Sequence, residues 1–259
     1  MNTADAIDHG IDHGAAVLAE TARFAALLEG AEMAASVPTC PGWTLADLTR
    51  HAGGVQRWFS VLLRQRVQER PTSRDVDLRL PQREDEYADW LRAGAAEAAE
   101  VFAATDPDAP MWVWGADARA RFWVRRMLFE TLVHRVDAER TLGVRSEIDP
   151  VLAQDGVDEF LVNLPFATPF APKVAHLRDS GRTIRFQCTD GEGRWLVRLR
   201  PDGFGVAEDA DAGPADATVR AGAADLLQLL YGRLDRTAGA IGTTGDEDLL
   251  DLWFANSEF

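Results

Sequence analysis

Apolar residues recur at helical spacing through the first half of the chain. Over residues 15–29, Val17, Leu18, Phe24, Leu27 and Leu28 share one face and predict a first helix. Pro38 and Pro41-Gly42 interrupt it. A second helix is expected from Thr44, an N-cap residue with Asp47 three positions on in a capping-box arrangement. Trp43 stands just outside, placed to staple onto Leu48. This helix runs to about Glu69, before Pro71. A polar, Arg/Asp-rich stretch leads to a third helix, about Glu84–Thr105. After Pro107, Pro110 and the segment MWVWG, a fourth spans about Arg119–Leu142 and ends at Gly143. Four helices joined by polar loops predict a four-helix bundle.

The second half alternates differently. A short helix near 151–164 stops at Pro165, and the Pro-punctuated loop PFATPFAPK follows. Period-two segments then predict strands at Thr183–Thr189, Arg194–Arg200, Gly203–Ala207 and Ala217–Ala221, with turns at Asp190-Gly191 and Pro201-Asp202-Gly203. Helical spacing returns at Ala223–Arg233 and Glu247–Phe254. The expectation is an N-terminal helical domain over residues 1–150 and a small α+β domain with an antiparallel sheet over 151–259.

At 259 residues the chain suits two domains, and 46% apolar with 27% charged residues is an ordinary globular balance. A formal net charge of -15 disfavours nucleic acid and anionic membrane as partners. Lys173 is the sole lysine, which reads as coding bias. Cys40 and Cys188 match no CxxC or metal spacing, so reduced thiols in the cytoplasm are expected. There is neither a run of about 20 apolar residues nor a signal-peptide pattern at the N-terminus.

The chemistry concentrates on two helices. His51, in DLTRHAGGVQRWFSVLL, has Leu48, Val55, Trp58 and Leu62 at helical spacing, so its imidazole points along an apolar stripe. Glu130 and His134, in FETLVHRVDAE, lie four residues apart on one face with Trp123, Met127 and Ala138. An inward carboxylate is costly unless paired or bound to metal. Two imidazoles and a carboxylate suit Zn²⁺ with one coordination position open. Spacing alone leaves a second reading equally open: an outward Glu–His pair and an unrelated core histidine.

The segments VPTCPGWTLADLTRHAGGVQRW and FETLVHRVDAERTLG resemble the two signature segments of the mycothiol-dependent maleylpyruvate isomerase family, whose N-terminal domain is DinB-like. TVRAGAADLLQLLYGRLD and GTTGDEDLLDLW resemble that family's smaller second domain. The resemblance implies a divalent metal, usually zinc, held by His51, Glu130 and His134. It also implies an arginine, here Arg233, supplied by the second domain to bind the substrate carboxylate or stabilise the enolate, with the site between the domains. Mycothiol thiolate, activated on the metal, would add to the cis double bond of maleylpyruvate. Rotation and thiolate expulsion would then give the trans isomer. The same machinery without expulsion is a mycothiol S-transferase acting on another electrophile. The alternative from a different class is a non-catalytic metal-containing ligand-binding protein, which a fourth protein ligand would favour. Expected partners are a small electrophile and a low-molecular-weight thiol, with the chain a monomer or homodimer.

Other chemistry-bearing residues carry blander readings. The tandem IDHG at 7–14 spaces Asp8, His9, Asp12 and His13 like ligands, but its glycines weaken any helix there. Cys40 reads as a small packed residue. Arg135 and Asp137 flank His134, Asp137 as a candidate partner of a ligand histidine, and a surface position is open for both. Trp112 and Trp114 line a pocket or fill a core. His176 is assigned nothing.

Overall fold

The computed structural model of the chain describes residues 10–71, 76–208 and 213–258. These form two compact units, Gly10–Val113 with Asp117–Ser146, and Trp114–Ala116 with residues 147–258.

The first unit holds four helices: α1 (His13–Leu27), α2 (Leu45–Gln65), α3 (Tyr87–Ala103) and α4 (Ala120–Thr141). Each of α1 and α2 packs against both α3 and α4. Asp12 caps α1 by accepting from the Ala15 amide at 2.9 Å, while Asp8 and His9 lie outside the described residues. The capping box of α2 forms as the sequence predicts: the Asp47 amide donates to Thr44 Oγ1 at 3.2 Å, and the Thr44 amide to Asp47 Oδ2 at 3.0 Å. The core centres on Phe24, Leu45, Leu48 and Leu91, none more than 1% exposed. Each such side chain contributes about 1.5–3 kcal/mol by leaving water. Gly53 lets α3 approach α2, since a Cβ there would lie 2.2 Å from the Trp90 ring.

Helix α2 stops at Gln65, short of the expected Glu69. Arg66 turns into the left-handed region at φ 48°, and the Val67 amide bonds back to the Leu62 carbonyl. A short 3₁₀ turn, Glu84–Glu86, occupies what reads as the start of the third helix. Trp112 is half-buried and packs against the core: its ring centroid lies 5.6 Å from that of fully buried Trp123, whose indole N–H donates to the Trp112 carbonyl at 2.9 Å. A buried ionic group joins α1 to α4. Arg135, 0% exposed, pairs through Nε with Glu20 and through Nη1 with Glu139 at 2.6 Å. Arg23 reaches both carboxylates, at 3.2 and 3.6 Å.

The second unit is α+β, as expected. It comprises α5 (Pro150–Asn163), β1 (Thr183–Cys188), β2 (Arg194–Arg200), β3 (Gly203–Val206), β4 (Ala217–Ala221), α6 (Ala223–Leu230), β5 (Gly242–Gly245) and α7 (Glu247–Asn256). The sheet runs β3-β2-β1-β4-β5. Three of its pairings are antiparallel, and the pairing of β1 with β4 is parallel, a topology that hairpin turns do not report. Ile184, Phe186, Val197, Leu199 and Val219 make one buried face, while Arg198 and Arg220 point outward. Trp253 of α7 packs on Phe186 and Phe204. Helix α6 ends at Leu230, because Gly232 adopts φ 71° and turns the chain, so Arg233 stands beyond the helix and not on its last turn. Among the described residues, no helix is long and apolar enough to cross a membrane.

Candidate metal centre

Helix α2 presents His51 and helix α4 presents Glu130 and His134, and the packing of α2 on α4 brings the three together. His51 Nε2 lies 3.0 Å from Glu130 Oε1, and His134 Nε2 lies 3.4 Å from the same oxygen. One ligand atom from each residue fits within a set no more than 4.8 Å apart. The side chains are only partly withdrawn from solvent, at 31%, 22% and 12% exposure for His51, Glu130 and His134. The three side chains face one another at a partly exposed point, so His51 is not a histidine unrelated to the Glu130–His134 pair.

The neighbours complete the electrostatics. Glu130 Oε2 lies 3.3 Å from Arg126 Nη2, a side chain 3% exposed. Burial works against the charge on Glu130, but hydrogen bonds from His134 and His51 and the charge of Arg126 hold its carboxyl well below the usual range. Burial likewise opposes charge on His134, yet hydrogen bonds to Asp137, Cys40 and Glu130 hold it well above the ordinary imidazole value. His134 Nδ1 meets Asp137 Oδ2 at 2.9 Å, and Thr39 Oγ1 donates to Asp137 Oδ1 at 2.6 Å. The Cys40 thiol lies 3.6 Å from Asp137 Oδ2. Trp43 packs against the core group that includes Leu48 and also faces the imidazoles, with centroids 5.0 Å from His51 and 6.4 Å from His134.

Three residues at this site escape helix periodicity. Thr39, Cys40 and Trp43 precede α2 in the stretch PTCPGW, whose Pro-Gly spacing marks a loop without saying where it docks. Asp137 and Arg135 are both fully buried, so the surface reading is wrong for each. Arg233 belongs to the other unit, where its Nη1 donates to the Tyr231 carbonyl at 2.7 Å. The Tyr231 hydroxyl meets Glu159 Oε2 at 3.3 Å. Trp114 packs edge-on against Phe170 in that same unit, and His176 Nδ1 lies 3.3 Å from Asn256 Oδ1.

The donor set fits a divalent metal. Two imidazole nitrogens and one carboxylate oxygen, clustered and partly open to solvent, are the set that zinc accepts when one position is kept for substrate or thiol. A metal must displace the proton that His134 holds in the metal-free chain, since only a neutral imidazole ligates. Zinc affinity should therefore rise with pH, about tenfold per unit while one proton is displaced, and level off above the raised pKa of His134. Calorimetry in buffers of different ionisation enthalpy counts that proton. Affinity independent of pH would contradict the ligand assignment of His134.

Residues 15–139 match the Mycothiol maleylpyruvate isomerase N-terminal domain, and residues 152–252 match the MDMPI C-terminal domain. Among solved structures, the chain resembles the mycothiol-dependent maleylpyruvate isomerase with a TM-score of 0.58 and 13% identity, over 94% of this chain and 96% of that one. A histidine-to-alanine mutant of the same enzyme matches over the same shares, with a TM-score of 0.60 and 13% identity. At that identity the likeness shows the fold. No curated protein sequence matches the chain.

Proposed function

Since this chain belongs to the mycothiol maleylpyruvate isomerase family, we propose that it is a zinc- and mycothiol-dependent enzyme that isomerises a maleylpyruvate-like acid from cis to trans. The observation that carries the reading is the convergence of His51, Glu130 and His134 from two helices at one partly exposed point. A divalent metal held by these three residues would lower the pKa of a coordinating thiol and supply thiolate at neutral pH.

The chain's own residues do the rest. Arg126 holds the second carboxylate oxygen of Glu130, which keeps the first directed at the imidazoles. Trp43 walls one side of the histidine pair and limits water there. In this reading Arg233 binds the carboxylate of the acid, a task a guanidinium performs with paired hydrogen bonds. The Tyr231 carbonyl and the turn at Gly232 fix where that side chain starts. The reading also takes 1–150 as the metal-binding domain and 151–259 as the small α+β C-terminal domain, in a cytoplasmic enzyme.

Neither cysteine is needed as nucleophile. Cys188 is buried, and burial pushes its thiol up to about 12, so it holds its proton. Cys40 is committed to Asp137, and a serine hydroxyl can take that place. A Cys40→Ser, Cys188→Ser double variant should keep at least half of wild-type turnover with thiol added, and none without it. Loss of turnover with zinc retained would place the nucleophile in the chain.

Arg233→Ala should raise KM for an anionic substrate and lower turnover about 10²-fold or more, with zinc content unchanged. Equal kinetics in wild type and variant would remove Arg233 from the reaction. The function itself is tested by incubating the zinc-loaded chain with mycothiol and a panel of electrophiles that includes maleylpyruvate. Isomerisation of maleylpyruvate supports the proposal. Thiol conjugation of another electrophile alone would make the chain a transferase, and no thiol-dependent conversion would favour a binding protein.

A further inference from the structure

Asp137 is 0% exposed on α4, three residues beyond His134 and on the same face. A buried carboxylate costs several kcal/mol unless its oxygens are matched, and here both oxygens are engaged. Oδ2 faces His134 Nδ1 at 2.9 Å, and Oδ1 accepts from Thr39 Oγ1 at 2.6 Å. An acceptor at Nδ1 keeps a proton on that nitrogen, which leaves Nε2, the nitrogen that faces Glu130, as the one a metal takes when it displaces the proton there. Thr39 and Cys40 belong to a tight loop closed by the Val37–Trp43 and Trp43–Cys40 backbone hydrogen bonds, at 2.9 and 3.0 Å. That loop leads directly into Thr44 and the first turn of α2, the helix that carries His51.

Resting on the metal-site reading above, we propose that Asp137 is a positioning residue that does two things through one carboxylate. It orients His134 for the metal, and it pins the Thr39–Cys40 loop so that the two helices bearing the ligands keep their spacing. Asp137 itself stays outside the ligand set, since its near oxygen is on the Nδ1 side of His134 and the ligand nitrogen is Nε2.

Zinc affinity of the full-length chain, measured by competition with a chromogenic chelator, tests this. Asp137→Ala should still bind one zinc at saturation, about 10–100-fold more weakly than wild type. Asp137→Asn, whose amide oxygen accepts from Nδ1–H, should recover most of that loss. Thr39→Val removes one hydrogen bond from the carboxylate and should weaken zinc severalfold, which keeps the test decisive if Asp137→Ala fails to fold. A merely structural carboxylate would instead lower the melting temperature of the metal-free chain and leave zinc affinity unchanged in the Asn and Val variants. That result would overturn the role of Asp137 alone. A wild-type chain that binds no zinc would overturn the metal reading itself and this proposal with it.

Discussion

Replacing His51 with alanine should strip the chain of stoichiometric zinc and reduce turnover to that of thiol and substrate in free solution. His51 supplies the only metal-site atom from α2, 3.0 Å from Glu130 Oε1. Two remaining ligands, both from α4, fall below the three that hold a catalytic zinc. Losing the metal removes several kcal/mol of barrier lowering, on the order of a thousandfold in rate or more. The helical unit should survive the change. Leu45, Leu48 and Ala52 anchor α2 in the core, and alanine is the best helix former. Elemental analysis beside circular dichroism separates the effects: full zinc in a folded His51→Ala chain would remove this residue from the site.

A comparably large loss, this time of stability, is expected from Arg135→Ala. Arg135 is completely buried between Glu20 and Glu139, which are themselves nearly so. Removing the guanidinium strands two carboxylates in the interior with the half-exposed Arg23 beside them. Breaking a buried ionic group in this way costs about 3–5 kcal/mol, against the roughly 5–15 kcal/mol that holds a typical domain folded. Urea titration followed by tryptophan fluorescence should show a correspondingly lower midpoint for the helical unit. A change under about 1 kcal/mol would mean that solvent reaches these groups and the network contributes little.

Helix geometry made the candidate ligands visible in the sequence but left an outward pair equally open, and the family resemblance joined the three into one proposed set. Glu130 and His134 share a face because four residues advance a helix by a little more than one turn, and His51 sits on the apolar stripe of a helix whose start is marked by Thr44 and Asp47. The surroundings of the site were not readable in that way. Thr39, Cys40 and Trp43 reach it through a loop, and Asp137 meets Thr39 across 98 positions of sequence. Local periodicity carries no information about such contacts. The same limit applies in the α+β unit. β5, Gly242–Gly245, has no alternation of large apolar side chains to announce it, and it is defined only by its pairing with β4. Arg135 shows the converse: a charged residue reads as surface until the partners that neutralise it, one of them more than a hundred positions away, are in place.

The proposed enzyme depends on a metal held by His51, Glu130 and His134 with one position left open. Diffraction at the zinc absorption edge from crystals of the zinc-loaded chain tests it most directly. One strong anomalous peak per chain is expected, about 2.0–2.2 Å from His51 Nε2, a Glu130 oxygen and His134 Nε2, with water or thiol as the remaining ligand. No peak at these residues, or a coordination sphere closed by Cys40 Sγ or another protein atom, would contradict it.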